Sequence, residues 1–331
     1  MKLVSYVENG AVKLGAIVQE QLYCLQAVNE QLPTDIIALI QMGDQVRLET
    51  EKQLLNMVEA DTLIAPVKDY VLLAPVPRPT SCRDGYAFRQ HVEAARRNRG
   101  VEMIKEFDQY PIFYFTNHNA IQGPGAVYCM PDHFQQLDFE LEIAIVIGKE
   151  GRNIKAKDAD AYIAGFTIMN DLSARKLQME EMLLNLGPAK GKDFSTVIGP
   201  WLVTPNELEN YLVSAKQGHV GNNYNLSMKC WVNDQLVSAG NVKDMDWTFA
   251  EIIERCSYGV TIHPGDVIGS GTVGTGCFLE LNGTGKLNNP DYQAQWLQPN
   301  DEVKMQIEGL GTLVNTIHAE ATDWSILSLK K

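Results

Sequence analysis

Residues 137–148, LDFELEIAIVIG, constrain the fold more than any other stretch of the chain. The segment opens with polar and apolar residues in alternation and closes as a continuous apolar run, the pattern of a strand entering a core. Residues two apart on a strand share a face, so Glu140 and Glu142 point the same way. Two carboxylates side by side at the edge of a buried run are expensive unless a cation neutralises them. An exposed strand face that carries two acids by chance is the other reading of the pair.

Strand-like patterns dominate from about residue 73 onward. AYIAGFTIMNDLSA, GPWLVT, LSMKCWVNDQLVS, DVIGSGTV, CFLELNG and DEVKMQIEGLGTLVNTI all read as strands, many bounded by Gly or Asn-Asp turns. Helical spacing is confined to residues 86–99, a short piece after Asp158, a turn after Asp171 and residues 248–257. The sum predicts an α+β chain, mainly antiparallel β with a few covering helices, and not a doubly wound α/β sheet. Residues 1–72 form a small N-terminal α+β unit. It has two strand-like runs around Asn9-Gly10, a hairpin signal, then helical spacing over 34–39 and 46–58 with Thr34 and Asp44 as caps. The proline-rich LLAPVPRPTSC reads as an extended connector into residues 73–331.

Composition narrows the function. With 331 residues and 45% apolar content the chain can bury a large core. A formal charge of −13 disfavours nucleic acid and anionic membranes as partners. No apolar run is long enough to span a bilayer, and the first residues read as strand, turn and strand rather than as a signal peptide. The six cysteines are scattered without a CxxC pair, and reduced, buried thiols in a cytoplasmic protein are expected.

Other residues join the Glu140/Glu142 pair. Asp171 ends a very apolar run, where strand ends feed loops that carry sites, but it could equally cap the turn that follows. Asp84, in CRDGYAFRQHVEAARR, is likewise a ligand candidate or an N-cap. Carboxylates without thiolates or paired histidines select a hard divalent cation, Mg²⁺ or Ca²⁺, with Mn²⁺ also admitted. Lys192 lies in a Gly-rich loop that can present a cation to an anionic ligand or stand solvated. His91 taken alone reads as structural, as do His118, His133, His219, His263 and His318. Residues 269–274 match GxGxxG, but no helix opens there, so a tight loop approaching a small ligand is the better reading than a nucleotide site.

Taken in order, RDGYAFRQHV, LDFELEIA, TIMNDLSARKLQ, GPAKGKDFSTVIGPW, HPGDVIGSGTVG and FLEL resemble the fumarylacetoacetate hydrolase family, in particular its longer, fumarylacetoacetase-like branch. The resemblance covers about residues 75–303 and implies a large mixed β-sandwich or β-roll domain. It makes Asp84, Glu140, Glu142 and Asp171 the metal ligands and His91 the general base, oriented by Glu280. Tyr86, Arg175, Gln178, Lys192 and Thr272 fall where the family binds substrate oxygens, with Lys192 also a donor to the developing oxyanion. The short branch often pairs its histidine with a Glu three residues on; Ala94 stands there, which favours His91–Glu280. Met182 replaces an aromatic residue, one residue is inserted before Gly191, and Arg96, Arg97 or Arg99 would have to supply a further substrate arginine.

The resemblance implies a metal-dependent hydrolase that cleaves a C–C bond in a 1,3-diketone acid, fumarylacetoacetate or a related acylpyruvate. Water would be activated by His91 and Glu280. It also implies a homodimer. Decarboxylation, enol–keto isomerisation or hydration of an oxo acid on the same scaffold is the alternative reaction, and a non-catalytic ligand-binding homologue is the alternative class.

Overall fold

The computed structural model describes residues 1–60 and 65–331. Two main sheets organise them. The larger has eleven strands: its path runs Gln21–Cys24, Ala11–Val18, Lys2–Glu8, Thr196–Val203, Ile163–Asp171, Leu141–Ile147, Val267–Gly269, Cys82–Gly85 and Phe113–Thr116, and Val71–Leu72 and Ile121–Gln122 pair off it with Lys2–Glu8 and Thr196–Val203. The smaller has five: Gln235–Asn241, Ser227–Val232, Glu302–Ile307, Gly311–Ala319 and Gly125–Cys129. Most pairings are antiparallel, as expected. Val267–Gly269 with Cys82–Gly85, Gly311–Ala319 with Gly125–Cys129 and Thr196–Val203 with Ile121–Gln122 are parallel.

The continuous apolar run of residues 141–147 has a simple cause. Its strand is covered on both faces, so both parities must be apolar. Ile143, Ile145 and Ile147 join Met228, Cys230, Met305, Ile307 and Leu313 of the smaller sheet in one core. Ala144 and Val146 face the opposite way, into a second core with Leu3, Leu14, Ile36, Leu39 and Leu54 of the N-terminal segment. The first strand pairs with Thr196–Val203 through Lys2 and Leu3, so the sheet is continuous from the N-terminal strands into the rest.

Turn chemistry sets the hairpins. Asn9 and Gly10 take φ of 51° and 77° between the paired residues Glu8 and Ala11, which matches the right-handed twist of the strands. Asn233 and Asp234 do the same between Val232 and Gln235. Thr248 closes a full capping box with Glu251 at the start of Phe249–Ser257.

Several helix boundaries differ from expectation. Asp35, not Thr34, caps Ile36–Gln41 by accepting from Ala38 N. Asp44 is the first residue of Asp44–Glu59 rather than its cap, which is Gly43. The helix expected over 86–99 is Arg89–Arg97, because Ala87 spends its backbone groups on Ser270 O and on Asp246 N. CFLELNG, expected as a strand, is a helix spanning Phe278–Asn288. Its first amides are taken by Asp138, which accepts from Phe278 N at 2.7 Å and Leu279 N at 2.9 Å. That cap comes from far away in sequence, and local periodicity cannot reveal it. The cysteines other than partly buried Cys24 are buried, and all six are free thiols.

Candidate active site

Strand parity builds the site. On the face that meets the N-terminal core, Cys82, Ala144 and Met169 are apolar anchors of three strands. One pleat further toward the same sheet edge each strand presents an acid: Asp84 after Cys82, Glu142 before Ala144, and Asp171 after Met169. Glu140 lies one pleat beyond Glu142. Asp84, Glu140, Glu142 and Asp171 each offer a carboxylate oxygen, and these oxygens lie within 4.8 Å of one another. All four residues are buried. Asp84 and Asp171 are therefore strand residues and not caps: Arg89–Arg97 starts from Phe88 and Arg175–Met182 from Ala174.

Two buried cations and one phenol share this cluster. Lys192 Nζ donates to Glu140 and, at 2.7 Å, to Asp171 Oδ2. Arg175 bridges Glu140 Oε1 and Asp138 Oδ2, each at 2.8 Å, and also donates to Gln178 Oε1 at 3.0 Å. Tyr114 donates to Asp171 Oδ2 at 2.5 Å. Thr272 Oγ1 lies 3.4 Å from Glu142 Oε1. Glycines explain the GxGxxG run. Gly271, at φ +79°, donates its N–H to Asp84 Oδ1 and Glu142 Oε2, and a Cβ on Gly269 would lie 2.5 Å from Asp84 Oδ1. The loop is tight because backbone must pass beside carboxylates.

The electrostatics call for a cation. Burial, then the neighbouring Asp171, pushes the Asp84 carboxyl up to about 7. Burial together with Asp84 and Glu140 raises Glu142 well above the usual range, and burial raises Asp171 as well. Glu140 is the exception: burial opposes its charge, but Lys192 and Arg175 outweigh that and hold it low. Lys192, despite its burial, is held above its ordinary value by Asp171 and Glu140, so it remains a cation and not a base. Asp171 Oδ1 is buried without a protein partner. An unpartnered carboxylate oxygen in an all-oxygen donor set fits a hard divalent cation.

A second cluster adjoins the first. His91 Nδ1 lies 2.6 Å from Glu280 Oε2, and both residues are buried. A carboxylate accepts, so Nδ1 carries the proton and Nε2 is left as an acceptor. Glu280 is fixed in turn by Thr275 N at 2.9 Å. The Tyr86 ring meets the His91 ring edge-on with centroids 5.8 Å apart. His91 and Glu140 belong to one set of potential ligand atoms within 4.8 Å, so the histidine and the carboxylate cluster share one interior.

Other residues stand outside. Arg97 turns to Thr284, Arg99 to Ala95 O and Arg96 to Glu102 O, and Met182 is exposed. Sequence reasoning missed Tyr114 and Asp138. Asp138 was legible: it precedes Glu140 and Glu142 at the same spacing. Tyr114 had no local signal, since only the pairing of Asp84 with Tyr114 across neighbouring strands brings it to the site.

The fumarylacetoacetate (FAA) hydrolase C-terminal family matches residues 80–318, and the chain belongs to this family of enzymes. Among its relatives, a mitochondrial oxaloacetate tautomerase of Homo sapiens is 32% identical over 301 residues, covering 88% of this chain and 82% of that protein. A fumarylacetoacetate hydrolase domain-containing protein 2 homolog of Dictyostelium discoideum is 27% identical over 322 residues, covering 96% and 97%. Of the solved structures, fumarylacetoacetate hydrolase from Exiguobacterium antarcticum superimposes with a TM-score of 0.71 at 23% identity, covering 97% of this chain and 100% of that one. Maleylpyruvate hydrolase from Sphingobium sp. SYK-6, in complex with manganese(II) ion and pyruvate, gives 0.69 at 20% identity, covering 96% and 99%. These structural likenesses establish the fold. No described helix is long and apolar enough to cross a membrane.

Proposed function

We propose that the chain interconverts the enol and keto forms of a small oxo acid of the oxaloacetate type, using a divalent cation held by Asp84, Glu140, Glu142 and Asp171. The observation that carries the reading is the buried His91–Glu280 pair, which sets a His91 ring nitrogen within 4.8 Å of a Glu140 carboxylate oxygen. Relatives named as oxaloacetate tautomerases, at about one third identity over most of the chain, support it.

The residues divide the work. His91 Nε2 takes a proton from one position of the keto–enol pair and returns it at the other, so that bonding changes without net loss. Glu280 holds the ring in the required tautomer and compensates the transient imidazolium. The cation, Mg²⁺, Ca²⁺ or Mn²⁺, supplies Lewis-acid polarisation of the substrate's oxygens when bound. Lys192 and Arg175 place fixed positive charge beside the oxygen that becomes anionic, with Gln178, Thr272 and Tyr86 as polar neighbours. Burial of His91, Glu280, Lys192, Arg175 and Thr272 keeps water away and strengthens each interaction.

The ordered motifs shared with the fumarylacetoacetase-like branch support a second reading, hydrolytic C–C cleavage of a 1,3-diketone acid. There His91 would deprotonate water instead. Enolic oxaloacetate and an acylpyruvate, each incubated with enzyme and Mg²⁺ and followed by ultraviolet absorbance, separate the two. The first reading expects loss of the enol signal well above the uncatalysed rate and an intact acylpyruvate. Cleavage of the acylpyruvate with no effect on the enol would overturn it. A homodimer is the assembly the family resemblance suggests, and six unpaired thiols support a reducing compartment.

A further inference from the structure

We propose that His91, Glu140 and Cys277 form a second metal site, selective for thiophilic dications such as Zn²⁺, and that its occupation switches the enzyme off. Inhibition rests on His91 acting as the base; metal binding does not.

The three residues present one nitrogen, one oxygen and one sulfur within 4.8 Å of one another, and all three are buried. Mixed N/O/S donors select zinc and cadmium over the magnesium and calcium that the all-carboxylate cluster suits. His91 is already arranged as a zinc ligand. Its Nδ1 is held by Glu280 at 2.6 Å, which leaves Nε2 free, the outer-sphere support that metal-bound histidines use. Cys277 sits at the cap position of the eleven-residue helix Phe278–Asn288, where its Sγ accepts from Glu280 N at 3.5 Å. Burial holds the Cys277 thiol well above its usual range, so only bonding to a metal draws its proton off.

Four-coordinate zinc needs its ligand atoms about 3.3–3.6 Å apart, given bond lengths of about 2.0–2.3 Å. The separations here allow that after side-chain rotations on the order of 1 Å. On binding, the Cys277 thiol releases its proton to solvent as the metal–sulfur bond forms, and the fourth position is left for water. Glu140 belongs to both clusters. Zinc therefore removes the His91 lone pair and also weakens the hold on the hard cation, so excess Mg²⁺ relieves inhibition only in part.

Cadmium and zinc added to the Mg²⁺-loaded protein test this. The expected result is one equivalent of Cd²⁺ per chain giving an ultraviolet thiolate-to-metal absorption that Cys277→Ser removes. Serine preserves the cap, so Mg²⁺-dependent turnover in that variant should stay within about twofold, while its sensitivity to Zn²⁺ falls at least tenfold. Absence of the absorption, or equal zinc inhibition of both proteins, overturns the proposal. Should the wild type bind Cd²⁺ through Cys277 yet convert no oxo acid, the tautomerase reading fails and the metal site stands.

Discussion

His91 is the residue on which the proposed chemistry turns. Replacing it with Ala removes the only proton acceptor the dyad offers, and turnover should fall by about 10²–10⁴-fold. Mn²⁺ affinity should stay near that of wild type, because His91 is absent from the carboxylate cluster. A variant that turns over normally would contradict the role. Asp84 gives a pH prediction. Its folded-state value of about 7 lies above the ordinary 3.8, so the metal-free fold binds this proton more tightly than the unfolded chain does. The metal-free protein therefore loses stability as pH rises between those values, and a cation must displace the proton below about 7. Mn²⁺ titrations should show tighter binding at pH 8 than at pH 6, with proton release at the lower pH. Equal affinity at both would remove Asp84 from the site.

Elements place these residues, and here the sequence was partly readable. Spacing alone put Glu140 and Glu142 on one face, since strand parity is a local property. Asp84 and Asp171 looked like caps as much as ligands, because a helix follows each within a few residues. The Phe278–Asn288 helix, which carries Glu280, was hidden because Asp138 caps it from a distant strand. Asp138 also holds Arg175, so removing its charge leaves a buried guanidinium with one partner fewer. Asp138→Asn should destabilise the fold by about 3–5 kcal/mol in denaturant titration. A change below about 1 kcal/mol would show that this junction does not secure the helix. Gly269→Ala sets a Cβ 2.5 Å from Asp84 Oδ1 and should weaken Mn²⁺ binding while the chain still folds. Unaltered binding would mean that the strand shifts without disturbing the carboxylates.

At the scale of the molecule, the mainly antiparallel β architecture was legible from turn residues and alternating strands. The order of strands was not, because pairings such as Lys2–Glu8 with Thr196–Val203 join segments about 200 residues apart. That pairing makes the N-terminal segment from Met1 to Val58 a cover for the sheet face from which the carboxylates project. A fragment of residues 73–331 should consequently aggregate, with Ala144, Val146 and Ile198 uncovered; a soluble, Mn²⁺-binding fragment would show the cover to be dispensable. The central claim is that one interior holds a divalent cation on four carboxylates with a histidine base beside it. A crystal structure of the protein soaked with Mn²⁺ and oxalate, a chelating oxo-acid mimic, tests it most directly. The anomalous manganese peak should lie among Asp84, Glu140, Glu142 and Asp171, with oxalate on the side of His91. A peak elsewhere, or none at full soaking, would contradict the account.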